Sequence, residues 1–215
     1  MSENMTMDEG LSISMPDDSL PPVSLDALPA PMQDACARAG WMRLMPVQAH
    51  ALPYLMAGRD IMVQSRTGSG KTGAYLLPLL SLLDAEEKKP QALILAPTRE
   101  LASQVEHEAR VLFEGTGLAV TALYGGVGYG RQLEALRSGV QLIVGTPGRV
   151  LDHLLRRTLS LDALKALIFD EADRMLSIGF YPDMKEIQRY LPKKPMLSTL
   201  SGSCTFSSAV QALNA

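Results

Sequence analysis

The residues best suited to chemistry fall in two short stretches. In the first, Ser65-Arg66-Thr67-Gly68-Ser69-Gly70-Lys71-Thr72 follows an apolar run and opens a helix-length segment. Gly68 and Gly70 free the backbone so that successive N–H groups can turn toward one centre. A helix starting directly behind them adds the positive end of its dipole, and together these make a cradle for phosphate oxygens. Lys71 supplies a cation for the outer phosphates, and the Thr72 hydroxyl is a ligand for Mg²⁺. The strict form of this loop has glycine where Ser65 stands, so the chain carries a variant.

In the second stretch, the apolar run Leu164–Phe169 delivers Asp170-Glu171-Ala172-Asp173. An acidic residue at the end of a buried strand, near a phosphate loop, is the usual partner of nucleotide-bound Mg²⁺. Asp170 is placed to hold the metal, directly or through water, and Glu171 to take a proton from an attacking water as general base. Alone, the tetrad would also read as a helix start with acids in its first turn. Beside the phosphate loop, the metal reading prevails.

Stepping outward, the elements that must present these residues alternate regularly. Short, nearly uniform apolar runs occur at Asp60–Gln64, Ala92–Ala96, Leu118–Leu123, Gln141–Val144 and Leu164–Phe169. Such runs read as strands buried on both faces. Helix-length segments separate them: Thr72–Leu83, Arg99–Phe113, Gly130–Arg137, Arg149–Arg156 and Ala172–Tyr190. This alternation predicts an α/β fold, a mostly parallel sheet with crossover helices, in which ligands lie beyond the carboxyl ends of the strands. Polar and glycine-rich residues do cluster at almost every one of those ends.

Composition narrows the class. With 47% hydrophobic and 20% charged residues in 215, global disorder is excluded. The longest mostly apolar run, Tyr75–Leu83, is interrupted by Pro78 and Ser81 and falls far short of the ~20 residues that span a bilayer. No basic segment followed by an apolar one opens the chain, so export is not expected. Cys36 and Cys204 form no spaced framework, and a reduced compartment, the cytoplasm, is expected. Residues 1–23, acidic and broken by Pro16, Pro21 and Pro22, read as a disordered tail. Seven acids and no Lys or Arg occupy residues 1–37, which leaves 16 acids against all 20 bases in the remainder. The net charge of −3 therefore does not exclude a polyanionic partner for the body.

Further short motifs occur in a telling order. Pro97-Thr98-Arg99-Glu100-Leu101-Ala102, Gly125-Gly126 and Thr146-Pro147-Gly148-Arg149 separate the phosphate loop from Asp170-Glu171-Ala172-Asp173, and Gly40-Trp41-Met42-Arg43-Leu44-Met45-Pro46-Val47-Gln48 precedes it. From about residue 24 onward the chain resembles the N-terminal RecA-like lobe of the DEAD-box ATP-dependent RNA helicases. The resemblance implies ATP and Mg²⁺ as cofactors and RNA, held by its sugar-phosphate backbone, as partner. By it, Gln48 reads adenine and Arg43 belongs to the same nucleotide-binding motif, with Ser65 to Thr72 on the phosphates. Pro97, Thr98, Arg99, Glu100, Gly125, Gly126, Thr146, Pro147, Gly148 and Arg149 would contact RNA, and Asp173 would couple this lobe to a second one. Backbone contacts carry no base sequence, so such a grip selects RNA without reading it.

The family pattern is not followed everywhere. Threonine is usual where Met45 stands, and alignment places Leu25 where an aromatic residue stacks on adenine. The family's Ser-Ala-Thr motif aligns either with Ser201-Gly202-Ser203 or with Ser203-Cys204-Thr205, and both alignments stay open. The family engine has two RecA-like lobes, the second of which supplies an arginine finger; residues 24–215 match the first alone. The expected function is ATP-driven local unwinding of RNA in the full-length protein, with little activity from this lobe by itself. Alternatives are a catalytically silent nucleotide- and RNA-binding module and a DNA-directed relative. His50, His107 and His153 show no ligand spacing, the methionines outside the tail are expected in the core, and Glu86-Glu87-Lys88-Lys89 reads as a solvated turn.

Overall fold

The computed structural model describes residues 19–66, 68–193 and, for the backbone alone, 196–201. Among the described residues six strands form one sheet: β1 (Ile61–Gln64), β2 (Ala92–Leu95), β3 (Val120–Leu123), β4 (Leu142–Gly145), β5 (Ala166–Phe169) and β6 (Met196–Ser201). Their order is β1-β6-β5-β2-β4-β3, and every pairing is parallel. Helices α1 (Ala30–Arg38), α2 (Pro46–Met56), α3 (Lys71–Leu82), α4 (Arg99–Leu112), α5 (Tyr129–Ser138), α6 (Pro147–Leu155), α7 (Ala172–Ser177) and α8 (Tyr181–Gln188) connect and cover them.

The strand period of two divides the core between the two faces. Ala92, Ile94, Leu142, Val144, Ala166 and Ile168 point into one cluster, with residues of α1, α3 and α4. Leu93, Leu95, Ile143, Leu167 and Phe169 point into the other, with Val150 and Leu154 of α6, Met175 of α7 and Ile187 of α8. Helix α4 shows how local sequence fits this plan. Thr98 caps its start by accepting the Leu101 N–H at 3.2 Å, and Ala102, Val105, Ala109 and Leu112 line its buried stripe.

Three expectations need correction. Strand β1 is not buried on both faces; its residues alternate because Ile61 and Val63 pack against Ala51 and Leu55 of α2 and Ala74 of α3, while Met62 and Gln64 on the other face are exposed. The segment Ala172–Tyr190 is two helices, broken by Gly179 at φ +92° with Pro182 in the first turn of the second. Methionines do not serve the core alone. Met32, Met175 and Met184 are buried, but Met42, Met45, Met56 and Met62 lie exposed in the loop before α2, at the end of α2 and on the edge strand.

Helices α1 and α2 were not expected from the sequence. Of the acidic tail, residues 1–18 lie outside the described residues. Leu20 and Val23, placed in that tail by sequence, are instead tied to α2 through Leu20 N–H to the Tyr54 hydroxyl (2.9 Å) and Val23 N–H to the Ala49 carbonyl (3.0 Å). Leu25 sits in a short 3-10 helix and packs on the core. Residues Glu86 to Lys89 do form a turn between α3 and β2.

Candidate functional site

Because the strands are parallel and nearly level, their carboxyl ends open on one edge. Leu95 pairs with Gly145 and Phe169, Gly145 pairs with Leu123, and Phe169 pairs with Thr199. The next residues in the chain are the ones with chemical character: 65–72 after β1, Asp170 after β5, 97–100 after β2, Thr146 after β4 and Gly125 after β3. Strand order also sorts them. The phosphate loop and Asp170 flank β6 on one half of the edge, while β2, β4 and β3 bring the RNA candidates together on the other half.

The loop between β1 and α3 has the required backbone. Gly68 and Gly70 adopt φ of +79° and +89°, which L-residues with side chains rarely reach. Ser65 Oγ and Ser69 Oγ lie 2.6 Å apart, bracing the turn that a glycine at position 65 could not brace. Lys71 is buried, and its ammonium donates to the Ser65 and Arg66 carbonyls at 2.6 and 2.8 Å. Burial pulls this ammonium below the ordinary lysine range, while Asp170, Glu171 and Asp173 oppose the shift. Thr67 lies outside the described residues; Arg66 is exposed and Thr72 half-buried at the start of α3.

Asp170 is 4% exposed. Burial raises its carboxyl above the ordinary range, the Tyr75 hydrogen bond opposes this, Glu171 adds to it, and Lys71 opposes it. A buried carboxylate left short of positive charge is a place where a cation fits. Mg²⁺ typically uses one or two protein oxygens and retains waters, so Asp170 with the Thr72 hydroxyl suits it. Both act on the same phenol, that of Tyr75. Among the described residues no group of three or more His, Cys, Asp or Glu could hold a metal, and a site of this kind needs none. Glu171 occupies the left-handed region at φ +52°, uncommon for a non-glycine residue, and its carboxylate meets Arg174 at 3.1 Å. Asp173 follows, half-buried, in the first turn of α7.

Gln48 lies against the loop rather than open to solvent. It is 2% exposed; its Oε1 accepts the Met45 N–H at 2.8 Å and its Nε2 donates to the Gly70 carbonyl at 3.0 Å. This bridge joins the start of α2 to the start of α3. Gly73 makes room for it, since a Cβ there would come within 2.3 Å of Trp41 and 2.5 Å of Gln48. Arg43 is exposed in the same loop, beside exposed Met42.

On the other half of the edge, exposed Arg99 pairs with Glu100 at 2.6 Å and lies beside Gly126, where a Cβ would stand 3.3 Å from its guanidinium. Gly126 adopts φ +81°, and both it and Gly125 are exposed. Thr146 precedes α6 with Pro147 in its first turn, Gly148 is exposed and Arg149 half-buried. Pro97 is buried beneath Thr98. Of the two alignments for Ser-Ala-Thr, Ser201 ends β6 opposite Gln64, while Gly202, Ser203, Cys204 and Thr205 lie outside the described residues.

Residues 45–213 match the sequence profile of the DEAD/DEAH box helicases. The chain belongs to that family. It is 51% identical over 168 residues to the ATP-dependent RNA helicase DeaD of Escherichia coli (strain K12), covering 77% of this chain and 27% of that protein. Against the ATP-dependent RNA helicase DeaD of Buchnera aphidicola subsp. Baizongia pistaciae (strain Bp) the identity is 47% over 165 residues, 76% of this chain and 27% of that one. The chain thus spans about a quarter of the length of these curated relatives. A crystal structure of a DEAD box protein from the hyperthermophile Methanococcus jannaschii superposes with a TM-score of 0.81 at 35% identity, over 87% of this chain and 51% of that one. The fold is accordingly a RecA-like DEAD-box domain.

Several participants escaped the sequence reading. Tyr75 carried one signal, a polar-tipped aromatic in an otherwise apolar helix. Gly73 as a partner of Trp41, and Gln132 and His153 behind Arg149, carried none, because each acts through contacts between distant segments. Among the described residues no helix is long and apolar enough to cross a membrane.

Proposed function

We propose that this chain, over residues 24–215, is the ATP-binding lobe of an RNA helicase, coupling Mg²⁺–ATP binding and hydrolysis to local separation of RNA strands in the full-length protein. The observation that carries this reading is the level parallel register, which gathers the phosphate loop, Asp170-Glu171 and the RNA candidates on one sheet edge.

In this reading the 65–72 loop cradles the phosphates with its backbone N–H groups, and Lys71 exchanges its loop carbonyls for phosphate oxygens. Asp170 and Thr72 hold Mg²⁺, whose charge offsets that of the phosphates. Glu171 orients the attacking water and takes its proton. Gln48 has one further N–H and one further lone pair beyond its two internal bonds, enough to read adenine while bracing the loop. Thr98, Arg99, Gly126, Thr146 and Arg149 hold the sugar-phosphate backbone of RNA, with Pro97, Glu100, Gly125, Pro147 and Gly148 shaping that surface. Asp173 faces a second RecA-like lobe, whose arginine completes the charge stabilisation that contributes ~10³–10⁵ in rate in phosphoryl transfer. The protein works in the cytoplasm.

The test is phosphate release and duplex unwinding by the full-length protein and by residues 1–215. The full-length protein should show RNA-stimulated turnover that Glu171→Gln abolishes while ATP still binds; the isolated chain should bind nucleotide with negligible turnover. Stimulation by DNA equal to that by RNA would redirect the substrate assignment, and robust turnover by the isolated chain, lost in Lys71→Ala, would overturn the division of labour between lobes.

A further inference from the structure

Behind Arg149 runs a polar chain with His153 and Gln132 buried at its centre, and its members other than Arg149 carry none of the roles assigned above. Arg149 and His153 on α6, and Arg156 at its C-cap, follow one another at helical spacing and all meet the ring of Tyr129 from α5. The His153 ring stacks on it at 4.4 Å with 8° between planes, and the two guanidinium carbons lie 5.5 and 5.1 Å from its centroid. His153 is fully buried. Its Nε2 lies 3.3 Å from Gln132 Oε1 and its Nδ1 2.9 Å from Thr158 Oγ1. Gln132, also buried, donates from Nε2 to the Tyr124 carbonyl at 3.0 Å, and its Oε1 receives Arg149 at 3.4 Å.

The direction of each bond is fixed by what its partner can do. Arg149 can only donate and the Tyr124 carbonyl can only accept, so Gln132 must turn its oxygen toward Arg149 and His153. Nε2 of His153 therefore carries a proton and donates it to that oxygen. In the neutral ring Nδ1 is an acceptor, and the single proton of the Thr158 hydroxyl is shared between Nδ1 at 2.9 Å and the His153 carbonyl at 3.1 Å; that hydroxyl also lies 3.3 Å from the Tyr129 hydroxyl. Burial, reinforced by Arg149, lowers the imidazole's affinity for a second proton. The chain Tyr129–Thr158–His153–Gln132–Arg149 is thus continuous with a neutral histidine, whose Nε2 proton is committed to Gln132.

We infer that His153 is a positioning residue for RNA: by fixing Gln132 it holds the Arg149 guanidinium, against the Tyr129 ring, in the orientation in which it meets the backbone phosphate. This rests on the reading of Arg149 as an RNA contact. A free arginine samples many rotamers, and ordering it at the moment of binding costs affinity; an arginine already ordered by Gln132 and Tyr129 avoids that cost.

The test uses the full-length protein with a non-hydrolysable ATP analogue and labelled single-stranded RNA, read by anisotropy, alongside ATPase titrations with RNA. His153→Leu, which fills the space without a donor, should raise the RNA Kd and the RNA concentration for half-maximal turnover about five- to tenfold. ATP affinity and kcat at saturating RNA should stay unchanged. His153→Gln, whose amide can still donate to Gln132, should recover most of the loss. In an Arg149→Ala background His153→Leu should have no further effect, because the two act as one unit. Undiminished RNA affinity in His153→Leu, or a loss that persists in the Arg149→Ala background, would overturn the inference while leaving Arg149 an RNA contact. Arg149→Ala without effect would instead overturn the underlying reading. If His153→Leu does not fold, Gln132→Met, which leaves the imidazole in place, carries the same expectation and the same refutation.

Discussion

The phenol of Tyr75, in the helix behind the phosphate loop, donates a 2.8 Å hydrogen bond to Oδ2 of Asp170, and both side chains are buried. The bond ties the phosphate half of the site to the metal half from below. Tyr75→Phe should therefore lower stability by about 1.5–3 kcal/mol, the range for a hydrogen bond to a charged group. It should also raise the Mg²⁺ concentration needed for half-maximal ATP binding. Urea midpoints and Mg²⁺ titrations at fixed ATP check both; an unaltered Mg²⁺ requirement would make the tyrosine a packing residue only.

Gly73 is a helical position where alanine would ordinarily help by about 1 kcal/mol. Here the added Cβ would meet outer-ring atoms of Trp41 at 2.3 and 2.8 Å, so the sign reverses. Gly73→Ala is expected to cost about 1–3 kcal/mol, as overpacking does. Trp41→Phe, lacking the outer part of the indole, should restore part of it. Melting of the two single variants and the double variant measures the coupling; strict additivity would contradict the contact.

Gln48→Ala would remove both the brace to Gly70 and the base contact proposed for Gln48, and the two separate by nucleotide. Losing the Gly70 bond should weaken ATP and GTP alike, whereas losing adenine recognition should weaken ATP further, by about 1–3 kcal/mol. Titration calorimetry with both nucleotides distinguishes them. A constant ATP-to-GTP ratio would remove the adenine contact, and unchanged GTP binding would remove the brace.

Burial, then Arg149, holds His153 below the ordinary value of 6.5, with Asp152 opposing and Arg156 adding. Just below pH 6.5 the unfolded chain binds this proton and the folded chain does not. Stability therefore rises with pH through that window and is lost on acidification. Urea midpoints from about pH 7.5 down to about pH 5.5 should fall, and His153→Gln should flatten the slope. Equal slopes in both proteins would mean that the folded histidine protonates freely.

Strands β2 to β5 and the positions of the 65–72 loop and of Asp170-Glu171 at strand ends were legible in the sequence because each depends on local signals. Apolar runs of four to six residues gave β2 to β5, and glycine placement gave the phosphate loop. Most of what escaped was non-local. Strand β1 alternates in exposure because α2 and α3 cover only the Ile61–Val63 face, a matter of tertiary packing that no run of residues encodes. Helix α2 was hidden by its mixed apolar character and by Pro53 within it. The break at Gly179 did carry a local signal, Gly179 with Pro182 three residues on, which was outweighed by the longer helical pattern around it. Gln48 looked like a ligand-facing amide; its bond to Gly70 depends on a turn 22 residues away.

The position of β1 has a consequence for biosynthesis. Among the described residues this strand, which leads into the 65–72 loop, pairs with β6 alone, Ile61 opposite Ser198 and Gln64 opposite Ser201. A ribosome making roughly 5–20 residues per second needs several seconds, up to about half a minute, to pass from one partner to the other. Through that interval β2 to β5 can assemble while β1 has no neighbour in the sheet. The nucleotide half is then the last to close, and its late, long-range pairing is the slow kind of contact. Nascent chains should acquire protease resistance in residues 92–169 before they can retain nucleotide.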